Sequence, residues 1–88
     1  MNDVKKEAYK IIVKVFKKNI FSDKLLQQFA KKNKENPEDT ALLFHLVKGI
    51  IKYRANLDYI ISKYTDSKKY QKTSIKIKAL LYLAIYLS

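Results

Sequence analysis

Apolar residues return at helical spacing through most of the chain. At 100° per residue, Val4, Ala8, Ile11, Ile12, Val15 and Phe16 share one face, and Lys6, Lys10, Lys14 and Lys17 share the opposite one. The pattern predicts a first helix from Asp3 to Lys18. Asp3 and Glu7 then stand at its amino end and Lys17 and Lys18 at its carboxyl end, where the helix dipole favours each sign of charge. A second, shorter helix is expected from Ser22 or Asp23 as cap. It carries Leu25, Leu26, Phe29 and Ala30 on one face and closes on Lys31, Lys32 and Lys34.

Asn36-Pro37-Glu38-Asp39 is a helix start: asparagine can cap free amides, proline suits the first turn, and the acids meet the positive end of the dipole. In the helix that follows, Leu42, Leu43, Phe44, Leu46, Val47, Ile50, Ile51 and Tyr53 occupy about 200° of the circumference, leaving a strip through Ala41, His45, Lys48 and Lys52. An apolar surface that wide predicts a central helix packed on more than one side. Asn56 is read as the cap of a fourth helix, Leu57 to Tyr64, with Asp58 in its first turn. Thr65 to Thr73 is polar and aperiodic, and is expected to be a loop. A fifth helix begins at Thr73 or Ser74. After Lys78 it runs through Ala79, Leu80, Leu81, Tyr82, Leu83, Ala84, Ile85, Tyr86 and Leu87 without a polar residue until Ser88.

A helix that is apolar all round needs neighbours all round. Four preceding helices are too few to surround this one, so the expectation is one compact five-helix domain, residues 1–88, truncated within or after its fifth helix and forming the amino-terminal part of something larger. Leu80, Leu81, Leu83, Ile85 and Leu87 are expected at an interface, filled by downstream residues or by another copy of the chain.

Length and composition narrow the chemistry. Eighty-eight residues hold one domain, with no cysteine and one histidine, His45. A disulfide framework, a thiolate metal site and a cysteine nucleophile are therefore excluded. His45 has no second nitrogen ligand and no serine placed for activation, and reads as an ordinary surface or half-buried residue. One glycine, Gly49, cannot build a phosphate-cradling loop. Inside a strong helix it costs about 1 kcal/mol relative to alanine, and close approach of another helix backbone is the expected reason. No metal, cofactor or catalytic residue is expected. The opening residues lack the apolar core of a secretory signal, and Ala79 to Leu87 is far shorter than the roughly 20 residues a bilayer requires. The expected setting is cytoplasmic, with no membrane partner.

The formal charge of +11 combines 19 lysines and arginines, of which only Arg54 is arginine, with eight acids. Such an excess favours polyanions through long-range attraction and counterion release. A lysine-rich surface that serves only solubility stands beside that reading. The seven tyrosines offer base-stacking faces. Tyr82 and Tyr86 fall inside the apolar run and read as core or interface, which leaves Tyr53, between Lys52 and Arg54, as the better candidate for a nucleic-acid contact.

The stretch from Asp39 to Ile61 resembles the NusB-like helical domain: an acid precedes an apolar helix, then come Leu46-Val47-Lys48-Gly49-Ile50, a basic residue, and Leu57-Asp58 with the aliphatics Ile60 and Ile61. Ile77 to Leu87 is similar to that family's next helix, and Lys5-Lys6-Glu7-Ala8 through Val15 to its first. The resemblance implies an all-α fold and RNA binding, with one or more further helices downstream. It implies one of two settings: a transcription antitermination factor that binds RNA together with a small ribosomal protein, or the amino-terminal domain of a ribosomal RNA cytosine-5 methyltransferase. Arg54 after Gly49, with Leu57-Asp58 beyond, favours the second, in which catalysis belongs to a separate domain and this chain is not itself an enzyme. RNA-backbone contact is expected at Lys5, Lys6, Lys10, Lys14 and Lys17, with Arg54 as an addition. Lysine stands where the family often has arginine, so the contact is expected to be point-charge attraction rather than bidentate recognition. A protein-binding module without RNA remains the alternative of a different class.

Overall fold

The computed structural model describes residues 4–87, so the expected start at Asp3 lies outside it. The described residues are all-α, with six helices rather than five: α1 Val4–Lys18, α2 Ser22–Lys32, α3 Pro37–Lys52, α4 Arg54–Tyr64, α5 Ser67–Gln71 and α6 Ile75–Tyr86. No helix among them is long and apolar enough to cross a membrane.

α1 follows its sequence pattern: Val4, Ala8, Ile11 and Ile12 are buried, and Val15 and Phe16 pack against the core beside them. The helix ends where Asn19 takes a left-handed backbone, φ 53°, a conformation asparagine tolerates better than most residues. That turn lays α2 against α1, with Leu26 and Phe29 inward. No side chain caps α2; Asp23, an expected cap, pairs with Lys48 of α3 instead. At the start of α3, Pro37 occupies the first turn as expected, but Asn36 makes no side-chain cap. Its carbonyl instead accepts from the backbone amide and the hydroxyl of Thr40, at 3.2 and 3.3 Å.

α3 is the central helix. It packs against α1, α2, α4 and α6, and buries Leu43, Leu46, Val47 and Ile50. α4 begins at Arg54, three residues earlier than Leu57, so Asn56 lies within the helix and Asp58 beyond its first turn. The expected loop contains α5, held at its start by Asp66, whose carboxylate accepts from the Lys68 amide at 2.9 Å. Its purpose in the fold is Tyr70, which is buried in the core. Ser74 caps α6, its hydroxyl accepting from the Ile77 amide at 3.4 Å.

α6 is apolar all round but only partly enclosed. Ala79, Tyr82 and Leu83 are buried, and Leu81, Ile85 and Tyr86 pack against the core. Three of the five residues expected at an interface, Leu81, Leu83 and Ile85, are therefore engaged within the fold. What faces outward is a stripe one turn apart, with Ile77 52%, Leu80 55% and Leu87 45% exposed and Ala84 between them.

Gly49 answers to a side chain and not to a helix backbone. A methyl group there would overlap the phenol ring of Tyr86, which crosses from α6 and also stacks on His45, with ring centroids 6.2 Å apart. Helix propensity alone would make Gly49→Ala stabilising by about 1 kcal/mol. We predict that the parent shows none of that gain, because the tyrosine must move, and that it reappears when Gly49→Ala is made on a Tyr86→Ala background. Urea denaturation of the four proteins in this cycle checks it.

Candidate nucleic-acid interface

Burying one stripe of α1 turns the opposite stripe outward, and Lys5, Lys6, Lys10, Lys14 and Lys17 are all exposed. Lys10 lies 3.8 Å from Glu7 one turn earlier, a surface pair of little energetic weight. Because α2 packs alongside, a groove of about 150 Å³ runs between the two helices, walled by Lys10 and Lys14 of α1 and by Gln28 and Lys32 of α2. Ile11, Leu25 and Phe29 form its apolar sides, and Glu7 is its one acidic group. Lysines from two helices thus share one surface. Lys5 is turned about 100° from Lys6 by the helical step and flanks the row instead of joining it.

Lys32 joins this surface although the sequence pattern marks it only as part of a helix ending. A signal for it exists in the spacing: it lies three residues after the inward Phe29 and four after Gln28, on the flank of α2 that a neighbouring helix would meet.

Arg54 does not line the groove. Its guanidinium lies over the Phe16 ring, 4.0 Å from the centroid, on a side of α1 that the helical step turns away from Lys10 and Lys14. Its Nε is 4.0 Å from Asp58 Oδ2. The other carboxylate oxygen, Oδ1, accepts two hydrogen bonds, from Tyr82 at 2.5 Å and from Tyr70 at 2.6 Å. Phe16 meets Tyr82 edge-on, centroids 6.0 Å apart. Asp58 is thus the polar centre of a cluster that joins α1, α4, α5 and α6. Tyr53, the other aromatic candidate, is exposed at the junction of α3 and α4, with Lys52 Nζ 5.4 Å from its ring centroid. His45 is exposed, as expected.

A hollow of a different character opens between the end of α2 and the start of α3. It measures about 530 Å³ and is mainly apolar, lined by Ala30, Pro37, Ala41 and Phe44 with Asn33, Lys34 and Thr40.

Compared with known families, the sequence matches the model of the NusB family over residues 2–87. No curated protein and no solved structure matches it.

The Leu57-Asp58 pair has a physical account in this geometry: Leu57 is buried, and Asp58 holds the phenols of Tyr70 and Tyr82. Burial, then hydrogen bonding to Asp58, pushes both phenols above the ordinary tyrosine value. Asp58 disfavours the phenolate in both, whereas Arg54 beside Tyr82 acts in the opposite direction. A folded-state pKa above the unfolded one keeps its full stabilisation below the unfolded value, about 10, and loses it as pH rises toward the folded value. Stability should therefore fall from about pH 10 upward. In a spectrophotometric titration, two of the seven tyrosines should resist ionisation until the chain unfolds. Tyr70→Phe should reduce that number to one.

Proposed function

The chain belongs to the NusB family, and we propose that it works as an RNA-binding helical module whose contact surface is the lysine groove between α1 and α2. The observation that carries this reading is the convergence of Lys10, Lys14 and Lys32 on one groove, continued along α1 by Lys6 and Lys17. A surface serving solubility alone has no need to gather cations from separate helices, since like charges at one-turn spacing repel by a few tenths of a kcal/mol per pair. A bound polyanion reverses that cost and releases its own counterions.

The RNA class is ribosomal and the setting the non-catalytic amino-terminal domain of a ribosomal RNA cytosine-5 methyltransferase, on the sequence pattern Gly49, Arg54, Leu57-Asp58. An antitermination factor acting with a ribosomal protein is the neighbouring reading within the same family. A protein-binding role has its own observation, the apolar hollow at Ala30, Pro37, Ala41 and Phe44. Cytoplasmic location goes with all three.

Binding to a ribosomal RNA fragment across a salt series tests the proposal. Changing Lys6, Lys10 and Lys14 to glutamate should weaken binding by at least about tenfold and lower the salt slope by roughly one unit for each phosphate no longer neutralised. A folded triple variant with unchanged affinity and slope would place the surface elsewhere.

Self-association through α6 belongs to the same proposal, now confined to Ile77, Leu80 and Leu87. These residues put a line of apolar groups one turn apart on the outside of the fold, the kind of surface a second copy can match by two-fold symmetry. Sedimentation should show association that grows with concentration and is removed by Leu80→Lys, with helicity retained. A parent that stays monomeric at high concentration would overturn this.

A further inference from the structure

Another hollow, of about 390 Å³ and of mixed polar and apolar lining, lies where α4, α5 and α6 meet. It shares no residue with the α1–α2 groove. Its walls are Ala55, Asp58, Tyr59 and Ser62 of α4, Tyr70 and Gln71 of α5, and Lys78 of α6. The volume is within the range of ligand clefts, roughly 300–1,000 Å³.

Three features give it a chemical character. Tyr59 is 62% exposed, a large ring at the wall of a cleft and not in the core. Lys63, one turn later, holds its ammonium over the ring, 4.5 Å from the centroid, and Ala55, one turn earlier, is a small residue on the same wall. One cation, Lys78, lines the site, and others are near it in sequence. Lys78 Nζ stands 4.8 Å from the Tyr70 ring centroid, and between Lys63 and Lys78 the sequence adds Lys68, Lys69, Lys72 and Lys76 with Asp66 as the one acid. An acceptor lies among them: Asp58 spends Oδ1 on two phenols, but Oδ2 is 4.0 Å from Arg54 Nε, outside hydrogen-bond reach, and the side chain is 38% exposed.

We propose that this hollow takes one unstacked base of single-stranded RNA, with Tyr59 as the stacking face, Lys63 and Lys78 on the flanking phosphates, and Asp58 Oδ2 accepting from an amino group on the base edge. The inference rests on the RNA-binding reading above and adds a second contact to it. A flat aromatic surface with cations beside it suits any base. The carboxylate makes the difference, because it can accept from the amino group of cytosine and repels the carbonyl oxygen that uracil carries at the same position. An acidic peptide would gain from the lysines but would set its carboxylates against Asp58 and leave the ring without a flat partner.

The test is binding of short oligocytidylate and oligouridylate to the full chain, with an RNA duplex and polyglutamate as competitors. The parent should prefer oligocytidylate by at least about threefold. Tyr59→Ala should weaken both single strands by roughly tenfold, and Tyr59→Phe, which keeps the ring, should restore binding. Tyr59 is exposed, so these variants leave the core intact. Asp58→Asn should abolish the preference for cytosine. As that side chain also holds Tyr70 and Tyr82, the preference in the parent is the reading that does not depend on the variant folding. Tyr59→Ala binding like the parent, no preference between the two strands, or duplex competing as well as single strand would each overturn the proposal. So would polyglutamate binding that falls with Tyr59→Ala as far as RNA binding does. The two sites fail separately: Tyr59→Ala without effect, while the α1 triple variant weakens binding, removes this site and leaves the groove.

Discussion

Two phenols share one carboxylate oxygen at Asp58, and the orientation of the last helix depends on it. α6 has apolar groups on every side, and hydrophobic burial is non-directional, so burial alone leaves its rotation about its own axis poorly specified. Tyr82 removes that freedom. Its ring is fully buried, and a buried hydroxyl without a partner costs about 1–3 kcal/mol, so only rotations that bring it to an acceptor survive. Asp58 supplies the acceptor from α4, and α5 brings Tyr70 to the same oxygen. One turn further along α6, Tyr86 passes over the gap left by Gly49. The two tyrosines fix the helix at successive turns, and the stripe from Ile77 to Leu87 is the face that remains outside.

How far the fold is legible in the sequence depends on the distance over which each constraint acts. The stripes of α1 and α3 are local properties, and residue spacing gives the inward face of α1 and the buried centre of α3, though Leu42 and Tyr53 at the edges of α3's apolar arc are exposed. The start of α3 at Pro37 is also local. The start of α4 is obscured because Asn56 resembles a cap, whereas the chain is already helical from Arg54, carried across from α3 by Tyr53, whose carbonyl accepts from the Leu57 amide at 2.9 Å. α5 is hidden for a different reason: five residues are too few to show a period, and its one anchor, Tyr70, looks like any tyrosine in a polar stretch. The Asp58 cluster is out of reach altogether. Its partners are 12 and 24 residues away, and a carboxylate near a helix start already has a sufficient local explanation. Gly49 signals that something approaches, but not that the visitor is a phenol from 37 positions later, Tyr86.

The candidate site is legible in proportion to how much of it sits on one helix. The outward row of α1 follows from its inward row with no further information. The groove does not, because it needs the turn at Asn19 to bring α2 alongside and so place Lys32 opposite Lys10 and Lys14. Both hollows beyond it are meetings of separate helices, and no spacing along the chain announces them.

The division of labour between arginine and lysine follows from the same packing. The chain's one guanidinium lies over the Phe16 ring and near Asp58, where a delocalised cation can meet an aromatic face and balance a carboxylate at once. An ammonium at that position would keep the charge and lose the plane. On the α1–α2 groove the requirement is opposite. A compact charge on a flexible stem can follow a phosphate backbone without fixing a register, at the cost of the bidentate geometry that reads bases. A groove whose only cations are lysines therefore suits attachment to a phosphate backbone more than choice among base sequences. Selectivity among bases asks instead for groups of fixed geometry, which aromatic and carboxylate side chains supply and flexible ammonium groups do not.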